Sequence, residues 1–234
     1  METENYKELL EYFIHEATQL NANIKSHSEL LSKGINDKTG IIHHSTVINE
    51  SSSVMSVLIE IVTYRLNPNY FKSTDKDFRN IHGKFHKSFL SFKRRMKEKS
   101  LNYTLKCDVK CLVNLYPIFD TLPYLLIDNA IKYSHKDGDI STDIDDLGHN
   151  ILITVENYGP EVYEDELDLL FNKDYRGRNA IEVNPIGNGL GLDIVKNICD
   201  LHNGTIKIVI GDDSYMLNGI NYKLFRVEIT LPKK

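Results

Sequence analysis

Gly187-Asn-Gly-Leu-Gly-Leu192 sets glycines at alternate positions directly before a helical pattern that runs from Leu190 to His202. Glycine lets a backbone approach a ligand closely and turn its N–H groups inward, and a following helix aims its positive end at the same point. The chemistry open to such a run is the holding of a polyphosphate. Glycine loops ahead of helices occur in many folds, so the run alone names no family. A second reactive group lies far upstream, in Phe13-Ile-His-Glu16. With Leu10 and Ala17 as heptad a positions and Phe13 as d, His15 falls at f, the outermost place on a helix. Glu16 can accept from Nδ1–H and leave the other imidazole nitrogen as a nucleophile, an arrangement suited to attack on a phosphoryl group. Gln19 shares a face with His15.

Two segments of unlike texture must position these groups. In residues 1–70, Tyr6, Leu10, Phe13, Ala17, Leu20, Ile24, His27 and Leu31 step by fours and threes, the seam of a helix in a coiled coil or bundle. Gly34 supplies a stop signal, and Ile35-Asn-Asp-Lys-Thr-Gly40 is turn material. A second helix carries Ile48, Met55, Leu58 and Val62 on one stripe, with Val47, Val54 and Ile61 beside it, and must end before Pro68. The broad apolar faces predict a helical hairpin that pairs with a second copy into a four-helix bundle. Residues 71–234 read as mixed α and β. Phe85, Phe89, Phe92 and Met96 mark a helix that ends in the basic run 93–97, itself expected to be solvated. Leu112 to Tyr133 is apolar at helical spacing, interrupted by Pro117 and Pro123. Strands are predicted over 103–108, 151–155, 205–210 and 223–231, with Asn218-Gly219 a tight turn.

The bulk numbers narrow the field. A net charge of −5 argues against a general nucleic-acid binder. No stretch reaches the roughly 18 apolar residues of a membrane span. The start, Met1-Glu-Thr-Glu, has neither a basic nor an apolar signal region, so a cytoplasmic chain is expected. Cys107, Cys111 and Cys199 form no CxxC and are expected as buried thiols. His27 is expected as a satisfied bundle residue, and His43-His44 as capping or solvent residues opening the second helix. His82 and His86 have metal-ligand spacing without a further partner in sequence.

Company makes the glycine run specific. Leu126-Ile-Asp-Asn-Ala-Ile-Lys-Tyr-Ser134 lies upstream of it. Val155-Glu-Asn-Tyr-Gly-Pro160 follows, then Leu170-Phe171 and Tyr175-Arg-Gly-Arg178, then the glycines, then Leu201-His-Asn-Gly-Thr-Ile206. Over residues 110–234 this order resembles the N, G1, F, G2 and G3 boxes of the histidine-kinase branch of the GHKL ATPases. The resemblance implies an α+β chain: a helical hairpin followed by a two-layer α/β sandwich of the Bergerat type that takes ATP with Mg²⁺. It implies that Asn129 holds the metal, Lys132 approaches the phosphates and Tyr133 lies near the base. Asn157 stands where the family usually has the aspartate that accepts from the adenine amino group, and an amide carbonyl can still accept that bond. Gly159 matches the first glycine of its box, and Glu161 replaces the second. Gly187, Gly189, Leu190 and Gly191 would surround the phosphates. Residues 172–188 would form a mobile lid whose Arg176 and Arg178 can meet the γ-phosphate, with a solvated loop as the alternative.

Other departures carry chemical weight. Leu125, one helical turn before Asn129, replaces the glutamate that activates water in gyrase-type and chaperone-type relatives, so hydrolysis by a general base is not expected. Phe13-Ile-His-Glu16 resembles the start of the histidine-kinase H-box, although Thr18, Gln19 and Leu20 depart from its remainder. The resemblance implies a homodimeric protein-histidine kinase that phosphorylates His15 and passes the group to an aspartate on a response-regulator receiver domain. One alternative is a degenerate kinase that binds nucleotide without transfer, as a scaffold or phosphatase. Another is a serine kinase of the anti-sigma-factor type, which normally keeps the acidic residue that Leu125 replaces. No sensor domain is recognisable, so the chain is expected to be a fragment or to receive its input through a partner.

Overall fold

The computed structural model describes residues 2–34, 37–67, 69–107, 111–184 and 191–233, with residues 2–9 and 12 described by backbone alone. The chain divides into two compact units, Met1–Phe71 and Lys72–Lys234. The first is a hairpin of α1 (Glu2–Ser32) and α2 (Lys38–Leu66). Gly34 takes φ +85°, the left-handed conformation that closes a helix cheaply only at glycine. Asp37 then caps α2, accepting from Thr39 N at 3.3 Å and Gly40 N at 2.9 Å. This cap lies earlier than the expected opening at His43-His44, which therefore sit one turn inside α2. The α1 seam from Phe13 to Leu31 is half-buried throughout, while Val47, Leu58 and Ile61 of α2 are buried.

The second unit opens with β1 (Asp77–Asn80) and α3 (Ile81–Glu98), followed by β2 (Asn102–Cys107) and β3 (Leu112–Leu115). Then come α4 (Thr121–Tyr133), β4 (Asp139–Asp146) and β5 (Asn150–Pro160), and after them α5 (Arg178–Val183), α6 (Leu192–Leu201), β6 (Thr205–Leu217) and β7 (Ile220–Pro232). Five strands form one sheet in the order β2-β4-β5-β7-β6, with β2–β4 parallel and the other pairs antiparallel. Strands β1 and β3 pair separately. Along β5, Ile151, Ile153, Val155, Asn157 and Gly159 are buried and the residues between them half-buried, so one face carries the core and α4 packs against this strand. Asn157 is thus the polar end of an apolar row.

Local signals account for most boundaries. Asn80 caps α3 by accepting from Gly83 N at 3.1 Å, and Ile81, Phe85, Phe92 and Met96 are buried along its inner stripe. Asn218 and Gly219 both take positive φ, 52° and 82°, as a two-residue hairpin turn requires. The expectation of helix from Leu112 is corrected at its start. Leu112–Leu115 extends and pairs with Asn80–Asp77, and α4 begins only at Thr121, which leaves Pro123 in the first turn where its missing N–H costs nothing. Cys111 and Cys199 are buried, while Cys107 is half-buried. The basic run is also corrected in one member. Arg95 Nη1 bonds Asp128 Oδ1 at 2.7 Å and ties α3 to α4.

Candidate functional site

Helix α4 is buried on nearly every side, from Thr121 to Ile127 and again at Ala130 and Ile131. Asp128, Asn129, Lys132 and Tyr133 form its half-buried polar stripe, since positions i, i+1, i+4 and i+5 share a face. Three predicted residues therefore lie side by side. Asn129 makes no side-chain hydrogen bond among the described residues, which leaves its carbonyl oxygen available to a ligand. Leu125, one turn earlier, is 8% exposed and part of the core. Lys132 Nζ lies 2.5 Å from Asp128 Oδ2, so its ammonium is held along the helix. Burial pushes the Asp128 carboxyl up, but Lys132 and Arg95 outweigh it and hold the group below the usual range.

At the C-terminal end of this stripe three more distant choices converge. A Cβ on Gly159 would meet Asn157 Nδ2 at 3.3 Å, Tyr133 Cβ at 3.7 Å and Phe225 Cβ at 3.9 Å. Tyr133, Asn157 and Gly159 therefore share one small space, and only glycine leaves it open. Asn157 is 5% exposed, and its buried Nδ2 has no hydrogen-bond partner among the described residues. A buried amide donor without a partner costs about 1–3 kcal/mol, which a ligand acceptor relieves. A purine edge fits that requirement. Glu161 does not enter this space: its carboxylate pairs with Lys223 Nζ at 2.8 Å and accepts from Asn221 Nδ2 at 3.1 Å, fastening the end of β5 to β7.

Helix α6 starts at Leu192 directly after Gly191, where an added Cβ would meet nothing within 4 Å. Gly187, Gly189 and Leu190 lie outside the described residues. The stretch expected as a lid, 172–188, contains α5 among its described residues, and two short helical turns, Glu164–Glu166 and Asp168–Phe171, come before it. The lid arginines have protein partners. Arg178 Nη2 grips Asp165 at 2.7 and 2.9 Å, its Nε meets Glu166 Oε1 at 3.2 Å, and its guanidinium lies 4.4 Å from the Tyr163 ring centre. Arg176 donates to the carbonyls of Ala180, within α5, and Asn184, which follows its last residue. Glu166, 1% exposed, also accepts from Arg178 N at 2.8 Å, Tyr163 N at 3.2 Å and Tyr175 Oη at 3.2 Å. Sequence reasoning missed Glu166 and Asp128. The Asp128–Lys132 spacing was a legible signal for the second, and nothing local marks the first.

In the first unit, His15 is 65% exposed in its side chain. Its Nδ1 lies 3.4 Å from Glu16 Oε1, and Gln19 Nε2 lies 3.2 Å from its Nε2. With Nδ1–H turned to Glu16, Nε2 accepts from the Gln19 amide N–H, the tautomer a nucleophile needs, and Gln19 turns aside to free that lone pair.

Comparison with known proteins agrees with this geometry. Residues 124–234 match the family model described as histidine kinase-, DNA gyrase B-, and HSP90-like ATPase. The sensor histidine kinase YvrG of Bacillus subtilis (strain 168) is 30% identical over 179 residues, 69% of this chain and 28% of that protein. Full-length ShkA, solved in complex with AMPPNP, shares the fold at TM-score 0.53 and 15% identity, over 97% of this chain and 47% of that one. Histidine kinase ThkA, solved with the response regulator TrrA, does so at TM-score 0.53 and 18% identity, over 97% of this chain and 61% of that one. Residues 124–234 belong to the histidine kinase-, DNA gyrase B-, and HSP90-like ATPases, and the chain around them is similar to histidine-kinase cores. It spans 28% of the length of YvrG.

Proposed function

We propose that the chain is the catalytic part of a protein-histidine kinase, working in the cytoplasm as a homodimer. ATP enters between α4 and the lid, His15 Nε2 accepts its γ-phosphoryl group, and an aspartate on a response-regulator receiver domain takes the group onward. The observation that carries this reading is the convergence of Tyr133, Asn157 and Gly159 beside the polar stripe of α4. The base is read at that point. The triphosphate then runs along Asn129 toward Gly191 and the start of α6, with Gly187, Gly189 and Leu190 closing around it. Transfer leaves ADP, and His15 is left phosphorylated on Nε2 with its Nδ1–H still on Glu16.

Asn129 would hold Mg²⁺ through its neutral carbonyl oxygen, a ligand type that this ion accepts. Leu125 adds no ligand, and Asp128 is engaged with Arg95 and Lys132. When bound there, the ion neutralises charge that develops between the β- and γ-phosphates. Arg178 reaches the γ-phosphate only by leaving Asp165, so closure of the lid is an exchange of partners. Dimerisation is supported by the half-buried α1 seam and by exposed Leu10, Ile14, Ile41 and Ile59, which a second hairpin covers. The partner class is supported by the fold shared with ThkA, solved with its regulator.

A second reading, nucleotide binding without transfer, draws on the capture of Lys132 by Asp128 and on the buried Leu125. Incubation with γ-labelled ATP and Mg²⁺ separates the two. Acid-labile label on the wild type, absent from His15→Gln, is expected. Bound nucleotide without label supports the second reading, and failure to bind any adenine nucleotide overturns both.

A further inference from the structure

The turn end of the helical hairpin gathers three histidines that the kinase reading leaves without a task. His27 lies near the end of α1, and His43 and His44 lie in the second turn of α2. Their ring centres stand 4.8 Å (His27–His44), 5.1 Å (His43–His44) and 5.6 Å (His27–His43) apart, close to an equilateral triangle. One ligand nitrogen from each ring can be chosen so that all three lie within 4.8 Å of one another. His27 Nδ1 and His44 Nδ1 are 2.7 Å apart.

We propose that His27, His43 and His44 form a binding site for a divalent transition-metal ion, of the Zn²⁺ or Co²⁺ type. Three imidazole nitrogens about 2.05 Å from a tetrahedral ion place their ring centres about 5 Å apart, and the observed triangle brackets that value. Binding opens the closest nitrogen pair from 2.7 Å to roughly 3.3 Å, within the reach of small side-chain rotations. An all-imidazole set of this kind selects Zn²⁺, Co²⁺, Ni²⁺ or Cu²⁺ over Mg²⁺, which takes oxygen ligands. His27 and His44 are half-buried and His43 is exposed, so the fourth position opens to solvent and takes water. The consequence is mechanical. Ligands drawn from both helices make the ion a cross-link beside the hairpin turn, and binding to the folded form alone stabilises that end. The pair His82 and His86 offers a contrast. Its rings lie 6.3 Å apart and nearly parallel at 13°, so they stack and do not converge on a point.

The test uses the metal-free full chain, titrated with Zn²⁺ by calorimetry and with Co²⁺ by visible absorption. The expected result is one ion per chain, a tetrahedral Co²⁺ band displaced by Zn²⁺, and a thermal midpoint raised by Zn²⁺. His27→Gln and His44→Gln should each weaken Zn²⁺ binding by roughly tenfold or more, while His82→Gln combined with His86→Gln leaves it unchanged. Circular dichroism confirms that each variant keeps its helices, and His43→Gln, at an exposed position, serves if either does not. Weakening below tenfold in the folded variants, or loss of the site in the His82/His86 variant, overturns the proposal. Neither outcome depends on ATP binding or transfer, so this site and the kinase reading stand or fall separately.

Discussion

Asp128 receives Lys132 Nζ on one carboxylate oxygen at 2.5 Å and Arg95 Nη1 on the other at 2.7 Å. The residue beside the proposed metal ligand is thus a clamp between α3 and α4, and the lysine expected at the phosphates rests on it. Exchange of Lys132 from Asp128 to a phosphate oxygen is the local rearrangement that nucleotide entry asks for.

Asp128→Asn removes the charge that both cations share. The two cations are more than a third exposed, 38% and 37%, which discounts the effect of the loss. We expect a loss of about 2 kcal/mol in urea unfolding. ATP affinity should hold or rise, because Lys132 is released toward the phosphates. A large fall in affinity with unchanged stability would reverse the assignment.

Asn157→Asp restores a charged acceptor at the base. A hydrogen bond to a charged group exceeds a neutral one by about 1 kcal/mol or more, so ATP binding should tighten roughly five- to tenfold. Selectivity against GTP should sharpen in parallel, since a carboxylate cannot donate to the 6-oxo group of guanine. Equal affinities for both nucleotides in wild type and variant would place the base elsewhere.

Glu166→Gln loosens the lid. The carboxylate accepts from two backbone N–H groups and from Arg178 Nε, and these outweigh the upward push of burial to hold it below its ordinary range. The amide side chain can accept at only one of its two ends. Limited proteolysis across residues 163–184 should accelerate several-fold, while α6 and the sheet stay protected. Cleavage at the wild-type rate would show that Glu166 does not hold the segment.

His202 makes the second unit acid-sensitive. Burial pulls its imidazole down to about 4, with Lys76 and Arg79 adding to the effect and the Ile198 carbonyl opposing it. Nδ1–H donates to Ile198 O at 2.7 Å and Nε2 accepts from Tyr116 N at 2.9 Å, so the neutral ring is the bonded form. The unfolded chain binds its proton near pH 6.5, above the folded value. Stability from this ring is therefore complete above about pH 6.5 and is lost as pH falls toward 4, a change of about 3 kcal/mol. Unfolding measured between about pH 7 and pH 4.5 should show a shallower slope for His202→Gln than for wild type. Identical slopes would assign the acid sensitivity to other groups.

Much of the second unit was legible before any coordinates. The alternation of β5 and the turn at Asn218-Gly219 are written locally, and the helical stripe of α3 is too. Leu112–Leu115 was not, because four apolar residues fit a strand and a helix turn equally until Asp77–Asn80 arrives to pair with them. Strand β4 escaped notice for a different reason: aspartate dominates Asp139–Asp146, and only Ile140, Thr142 and Ile144 turn inward.

Sequence by itself determined the order of the nucleotide boxes, the hairpin and the outward place of His15, since each depends on periodicity or spacing within a short stretch. Tertiary structure alone decided which charges the site residues meet. Arg95 finds Asp128 across 33 positions and His27 finds His44 across 17, and no local pattern encodes a partner at such distances. Side chains choose among partners only once packing has fixed which helix faces which, and that choice is an energy of the whole fold.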